Sequence, residues 1–132
     1  MLNVLIAAAL LAASPAVGAA PFPPVPTDDH RGRFSGSSSG SGDITIKGTI
    51  IDRSSATVCT YIRFRYKQGS GSAWTYTRWK RYCRGLDPSA AYRRTFTDPS
   101  VIEVKVCRAA RPAPGMEPQT YRCSDWEQVW PR

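Results

Sequence analysis

The residues of this chain with the most definite chemistry are its four cysteines, Cys59, Cys83, Cys107 and Cys123. They contain no CxxC pair, and the single histidine, His30, lies well before the first of them. That spacing does not fit a zinc site, so we expect no metal or other cofactor. In a small exported protein, four cysteines are typical of two disulfides. The sequence therefore predicts a cross-linked extracellular domain.

The pattern of the last predicted hairpin favours a disulfide between Cys107 and Cys123. Placing these two residues opposite each other also makes three further pairs: Val104 with Trp126, Lys105 with Asp125, and Glu103 with Glu127. The first two pairs are favourable and the third is not. Elimination leaves Cys59–Cys83, which needs a three-residue turn or a bulge, because a slip of one residue moves every side chain to the other face. Four cysteines allow three connectivities, so both pairings are preferences.

A second group of residues could bind anions or sugars. Aromatic and cationic residues alternate between residues 59 and 84, on both sides of a Gly/Ser turn signal at 68–72. Guanidinium and ammonium groups neutralise anionic polymers, and aromatic rings stack on bases or sugars. The predicted basic-aromatic surface consists of Tyr61, Arg63, Arg65, Trp74, Tyr76, Arg78 and Lys80. The same cations could instead serve only to prevent edge-to-edge pairing of strands.

Residues 20–42 predict a flexible arm. The first half of this segment is rich in proline and the second half in glycine and serine, and such compositions are typical of extended or flexible chain. The segment also has little apolar surface to offset its ordering entropy. Disordered arms often dock on partners through a few anchors, and the anchors predicted here are Phe22, Val25, Arg31, Arg33 and Phe34. The alternative is a tether that binds nothing.

No pattern in the sequence predicts catalysis, and we expect the protein not to be an enzyme. A serine-type triad or a ribonuclease acid would have to use His30, which lies in the predicted arm. Such sites need preorganised groups, which a mobile segment does not provide. No spacing recommends a carboxylate pair such as Asp52 with Glu103.

The chain divides into three predicted segments. Residues 1–19 read as a signal peptide, because the apolar stretch is shorter than the ~20 residues of a spanning helix and a small-residue cleavage motif follows it. The mature protein is therefore predicted to be secreted, with no membrane span. Residues 20–42 form the arm, and residues 43–132 form the disulfide-stabilised β-domain. The net charge of +8 and the isoelectric point near 9.7 favour an anionic partner.

Residues 43–132 predict an all-β domain. Ile44, Ile46 and Ile50 alternate with polar residues, and the same period of two recurs at 56–67 and 101–107. Further strands are predicted at 73–84, 92–97 and 121–130. Five to seven short strands separated by Gly/Pro turns indicate a small antiparallel β-sandwich of the Ig-like type, or a barrel.

In the order of its parts the chain resembles small secreted two-disulfide actinobacterial β-proteins and, within that group, the adaptor subunits of Streptomyces umbrella toxin particles. The resemblance is carried by the leader, the four-cysteine β-domain, and the segment 20–42 that contains Asp28-Asp29-His30-Arg31-Gly32-Arg33-Phe34. It implies a non-catalytic connector. The arm would dock in a cleft of a lectin-like subunit, and the β-domain would sit on a repeat-bearing toxin chain.

The leading hypothesis is therefore a secreted, non-catalytic interaction module, an adaptor that binds other secreted proteins in a toxin-like extracellular assembly. The alternative hypothesis is a binder of an anionic polymer or glycan that uses the basic-aromatic surface. A small antibacterial effector or a protease inhibitor is a further alternative.

Overall fold

The computed structural model describes residues 18–55, 57–84 and 87–132, so the predicted signal peptide lies outside the described residues except for its last two positions. The described residues form nine strands: β1 (Ala20–Pro26), β2 (Gly32–Ser39), β3 (Ile44–Asp52), β4 (Val58–Gln68), β5 (Thr75–Tyr76), β6 (Lys80–Tyr82), β7 (Ser89–Phe96), β8 (Pro99–Ala110) and β9 (Glu127–Trp130). Within this part of the chain, no helix is long and apolar enough to cross a membrane.

The strands form two antiparallel sheets. One sheet has the order β1-β2-β3-β7, and the other has the order β5-β4-β8-β9 with β6 also paired to β4. The pairing of β3 with β7 in one sheet, and of β4 with β8 and β8 with β9 in the other, is the pattern of immunoglobulin-like sandwiches. The predicted all-β sandwich with two disulfides is therefore confirmed. The strand count exceeds the predicted five to seven, because residues 20–39 form strands and the predicted strand at 73–84 is divided into β5 and β6.

One hydrophobic core lies between the two sheets. Strand alternation places the apolar residues of the central strands on the inner faces, as predicted: Ile44, Ile46 and Ile50 in β3; Ile62 and Phe64 in β4; Ile102, Val104 and Val106 in β8. The cations Arg63, Arg65 and Lys67 of β4 and Lys105 of β8 face outward. A shared core from both inner faces is what makes the fold a sandwich rather than two independent sheets.

The prediction of a flexible arm at 20–42 is wrong, because most of this segment forms β1 and β2. Phe22, Val25 and Phe34 are buried in the common core. The ring of Phe34 lies 5.7 Å from that of Phe22 and 5.8 Å from those of Phe64 and Tyr92. These three apolar side chains, two of them on either side of a bulge in β1, provide the burial that the composition of the segment conceals. The β-domain therefore begins at Ala20 and not at residue 43.

Glycines and prolines of β1, β2 and β3 occupy positions in paired strands and not in a linker. Gly36 and Gly48 lie opposite each other in β2 and β3, and a Cβ on Gly36 would lie 2.2 Å from the carbonyl oxygen of Lys47. A Cβ on Gly48 would lie 2.9 Å from the ring of Phe34. Both glycines thus allow close approach of the strands and the ring. The prolines lie in β1, at the edge of the sheet, where a missing N–H costs no ladder hydrogen bond.

Both predicted disulfides are present: Cys59–Cys83 and Cys107–Cys123. The first needs a bulge, as the sequence predicted. Arg65 lies opposite Tyr76 in the pairing of β4 with β5, whereas Tyr61 lies opposite Arg81 in the pairing with β6. The register therefore shifts by one residue between β5 and β6, and this shift places Cys83 opposite Cys59.

The predicted register of the last hairpin holds near the disulfide and fails beyond it. Beside Cys107–Cys123, the N–H of Ser124 donates to the carbonyl oxygen of Val106 at 2.8 Å. By β9 the register has moved by one residue, so that Val104 lies opposite Glu127. The predicted pairing of Glu103 with Glu127 is therefore wrong, because Gln128 occupies the position opposite Glu103.

Candidate functional site

The outer face of the five-stranded sheet carries alternating cations and aromatic rings, which we call the cation ladder. Arg63, Arg65 and Lys67 of β4 all point to this face because they occupy alternate positions of one strand. The rings come from the neighbouring edge segment and from the loop before β9. The members of the ladder are Arg63, Arg65, Lys67, Trp74, Tyr76, Trp79, Lys105 and Trp126.

Arg65 is the centre of the cation ladder. Its guanidinium carbon lies 4.2 Å from the centroid of the Trp74 ring and 4.5 Å from that of Trp126. Its Nε donates to Oε1 of Glu103 at 2.6 Å, across the β4–β8 pair. Lys67 lies on the other side of Trp74, with its Nζ 4.5 Å from the ring centroid. Each such contact contributes about 0.5–2 kcal/mol, depending on desolvation.

The bulge after β5 holds the second half of the cation ladder. Thr77 is buried, its N–H donates to the carbonyl oxygen of Phe64 at 2.9 Å, and its hydroxyl accepts from the N–H of Phe64 at 3.0 Å. Arg63 donates from Nε to the carbonyl oxygen of Thr77 at 2.8 Å. Its guanidinium carbon lies 5.3 Å from the ring centroid of Tyr76 and 5.4 Å from that of Trp79.

The structure brings only part of the predicted basic-aromatic surface together. Arg63, Arg65, Trp74 and Tyr76 share the outer face, as predicted. Tyr61 is only 3% exposed and packs with Trp79 and the Cys59–Cys83 disulfide. Arg78 and Lys80 leave the cation ladder, and the reason is the one-residue register shift between β5 and β6. The ladder also contains Trp79, Lys105 and Trp126, which the sequence did not predict. The unshifted hairpin register would place Trp126 opposite Val104 instead.

Arg78 and Lys80 instead line a groove at one edge of the sandwich, where the segment 78–80 approaches β7. This edge groove has a volume of about 440 Å³. Four of its lining residues are cations and none is a carboxylate: Arg78, Trp79, Lys80, Ala91, Tyr92, Arg93 and Arg94. Arg93 and Arg94 were not singled out in the sequence, because β7 is remote from the hairpin along the chain and only the stacking of the two sheets places it there.

Tyr92 connects the edge groove to the core. Its ring is stacked on that of Phe64 at 5.6 Å between centroids. Burial raises the pKa of its hydroxyl above the ordinary value, and the neighbouring Arg94 lowers it by a smaller amount. The hydroxyl therefore remains a hydrogen-bond donor throughout the neutral range.

A second recess of about 670 Å³ adjoins the edge groove and shares three of its residues. Tyr61 and Arg81 lie on one side of this recess, and Met116 and Glu117 of the loop between β8 and β9 lie on the other. The hydroxyl of Tyr61 is buried and has no hydrogen-bond partner among the described residues. The recess combines aromatic, cationic and carboxylate side chains.

The predicted arm anchors are separated by the strands that contain them. Phe22, Val25 and Phe34 face the core, whereas Arg31 is exposed and Arg33 is partly buried on the other face of the sheet. The three apolar anchors therefore have no surface available for a partner, and only the two arginines do.

The turn between β1 and β2 is fixed to the other sheet. The carboxylate of Asp29 pairs with Arg108 of β8 and accepts a hydrogen bond from the hydroxyl of Thr27 at 2.8 Å. Burial raises the pKa of Asp29, but the hydrogen bonds from Thr27, from the Arg31 N–H and from Arg108, with the positive charge of Arg108, outweigh it. The net effect is a pKa below the ordinary value for an aspartate.

Asp52 is buried and surrounded by hydrogen-bond donors. Its fully buried carboxylate accepts hydrogen bonds from the N–H of Ser54 at 3.0 Å, the hydroxyl of Thr60 at 3.2 Å and the N–H of Arg84 at 2.9 Å. Glu103 lies on the outer face of the five-stranded sheet, bound to Arg65. The two carboxylates therefore do not form a pair. Over residues 18–55, 57–84 and 87–132, no three metal-ligating side chains come together.

These features define a disulfide-linked β-sandwich with a cation ladder on one face and a cationic groove at one edge. No known protein family, characterised protein or solved structure matches the chain. The resemblance to toxin-particle adaptors therefore stays a prediction.

Proposed function

We propose that this protein is a secreted, non-catalytic binding module that holds an anionic polymer, most simply an acidic glycan, in the edge groove. The observation that carries the proposal is the convergence of Arg78, Lys80, Arg93 and Arg94 on one recess whose lining contains no carboxylate. The lining also contains two aromatic residues, Trp79 and Tyr92, which offer apolar surface to a sugar ring.

The cations of the edge groove are available to a ligand. The ion pairs of the described residues use Arg65, Arg108 and Arg122, so none of them involves a groove cation. Like charges gathered in one recess repel one another, and an anion bound there would remove that repulsion. A cleft lined by one sign of charge also concentrates oppositely charged ligands and speeds their association.

The cation ladder supports this proposal as a scaffold rather than as the main contact surface. Arg65 already has an indole ring on each side and a carboxylate beside it. Such a cation has few free hydrogen-bond donors for a ligand. The ladder instead holds the edge segment against β4, and through this segment it sets the position of Arg78 and Lys80.

Extracellular location agrees with the two disulfides, since such bonds persist in oxidising compartments. The adaptor hypothesis loses the arm as its docking device, because the apolar anchors of that arm are buried in the core. A role as an adaptor that uses another surface stays a prediction.

The test is chromatography of the folded protein on immobilised heparin. Retention is measured at several salt concentrations and at one constant pH. The double variant Arg93→Gln/Arg94→Gln removes two groove cations, and the matched control Arg111→Gln/Arg132→Gln removes two exposed cations outside the groove. Each lost contact with a polyanion lowers the slope of log affinity against log salt by about 0.7–0.9. We expect the groove variant to lose about twice that amount and the control to lose much less. Equal elution of the two variants would show that binding follows net charge and not the groove.

A further inference from the structure

A separate small pocket lies beside the turn between β1 and β2. Its volume is about 190 Å³, and it is lined by Pro26, His30, Arg31, Arg33, Ile51 and Arg53. It shares no residue with the edge groove. We call it the arginine pocket. Three of its six lining residues are arginines, and none is a carboxylate.

The arginine pocket is built on paired strands. Arg33 of β2 lies directly between Pro26 of β1 and Ile51 of β3 in the sheet register. The N–H of Arg53 donates to the carbonyl oxygen of Arg31 at 2.7 Å, which fixes the backbone of the other two arginines. Arg33 is therefore held by the β-ladder, and Arg31 and Arg53, which lie just before β2 and just after β3, are tied to each other by this backbone hydrogen bond.

The arginines of this pocket have unused hydrogen-bonding capacity. The Nε of Arg33 is buried and has no hydrogen-bond partner among the described residues. None of the ion pairs in the described part of the chain includes Arg31, Arg33 or Arg53. The acidic residues nearest to these arginines along the chain are Asp29 and Asp52, and both are bound by other groups. Asp29 is occupied by Thr27 and Arg108, and the buried carboxylate of Asp52 accepts its hydrogen bonds from Ser54, Thr60 and the N–H of Arg84. A buried donor without an acceptor is rare in folded proteins, and an acceptor that reaches it is the usual resolution.

We propose that the arginine pocket is a binding site for a single tetrahedral oxyanion, a phosphate or a sulfate group. Planar guanidinium groups donate two parallel hydrogen bonds to such oxyanions, and arginine is the preferred residue for this recognition. The volume of 190 Å³ is about six times that of one water molecule in the liquid, so the pocket has room for one such group. The oxyanion satisfies Arg33 Nε and offsets the repulsion among the three arginines.

The test is titration calorimetry of the folded protein with inorganic phosphate at low millimolar concentration and constant ionic strength. Chloride at the same ionic strength controls for screening, and the low concentration avoids the general stabilisation that phosphate and sulfate cause when concentrated. A second arm uses glycerol 3-phosphate and distinguishes a phosphate carried by a larger molecule from the free ion. Tighter binding of the ester assigns the site to a phosphorylated ligand, and tighter binding of the ion assigns it to free phosphate.

Arg33→Gln is the variant that decides the proposal, and Arg111→Gln is its matched control, because Arg111 is an exposed cation outside both the arginine pocket and the edge groove. We expect saturable one-to-one binding by the wild type, at least tenfold weaker binding by Arg33→Gln, and unchanged binding by Arg111→Gln. If Arg33→Gln does not fold, Arg53→Gln removes a second guanidinium from the exposed side of the pocket. Absence of saturable binding, or equal weakening by Arg111→Gln, would overturn the proposal while leaving the edge-groove function open.

Discussion

Replacement of Phe34 by alanine tests whether residues 20–39 belong to the folded domain. The side chain of Phe34 has no exposed area, and three aromatic rings lie within 5.8 Å of it, centroid to centroid. All three rings belong to other strands: Phe22 and Tyr92 to β1 and β7 of the same sheet, and Phe64 to β4 of the opposite sheet. The loss of Phe34 therefore opens a cavity between both sheets and not at an edge.

The expected cost follows from the burial. Replacing a phenylalanine of a well-packed core by alanine lowers the free energy of unfolding by about 3–5 kcal/mol. Each aromatic pair that is lost accounts for about 0.5–1.5 kcal/mol of this decrease. For a domain of this size, 1 kcal/mol corresponds to about 4 °C in the thermal midpoint. Phe34→Ala should therefore lower the midpoint by about 12–20 °C, which circular dichroism or calorimetry measures directly.

Two controls make this measurement decisive. Ser35→Ala changes the next residue, which faces outward from the same strand, and should move the free energy of unfolding by about 0.5 kcal/mol or less. Phe34→Leu keeps most of the apolar volume and should cost less than half as much as the alanine variant. If Phe34→Ala and Ser35→Ala unfold at the same temperature, residues 32–39 are not part of the core and the flexible-arm prediction was right. Rapid tryptic cleavage after Arg33 in the folded protein would also support the flexible-arm prediction.

Two further predictions concern charged groups. Arg65→Met removes the cation that contacts two indole rings and leaves Glu103 without its partner. The free energy of unfolding, measured in urea, should therefore fall by about 2–4 kcal/mol. The control Lys67→Met removes a cation over one ring and should lower the free energy of unfolding by about 1 kcal/mol or less. The second prediction concerns acid. Because the folded-state pKa of Asp29 lies below the unfolded value of about 3.9, its stabilisation is complete above that pH and is lost as the pH falls through the folded-state pKa. Asp29→Asn should therefore be less stable than the wild type at neutral pH and should lose less stability as the pH is lowered, which thermal midpoints at several pH values measure. An equal fall of the midpoint with pH in both proteins would contradict this assignment.

The outward half of the candidate site could be predicted because it depends on the period of one strand. Arg63, Arg65 and Lys67 had to share a face once β4 was recognised, and the nearby turn brought Trp74 and Tyr76 to them. The edge groove could not be predicted in the same way. Its cations belong to segments that meet only after a register shift in one sheet and the stacking of the other.

The misreading of residues 20–42 has a similar physical cause. Composition counts residues without their positions, and glycine, serine and proline are typical of linkers. In the structure, Ser35 and Ser37 lie on the outer face, Gly36 allows the close approach of β3, and the prolines lie at a sheet edge. Three buried side chains suffice to order the segment when the rest of the core is already there to receive them.

The sequence by itself determined the features that follow from local periodicity and from covalent chemistry. Alternation of apolar and polar residues predicted the inner faces of β3, β4 and β8, and the cysteine spacing together with the hairpin pattern favoured both disulfides, because these patterns act between chain neighbours or across one turn. The tertiary structure alone decided which strands stack on which. It placed β1 and β2 in the core, turned Arg78 and Lys80 toward β7, and gathered Arg31, Arg33 and Arg53 around one pocket. Such groupings depend on contacts between residues far apart in the chain, and no local pattern encodes them.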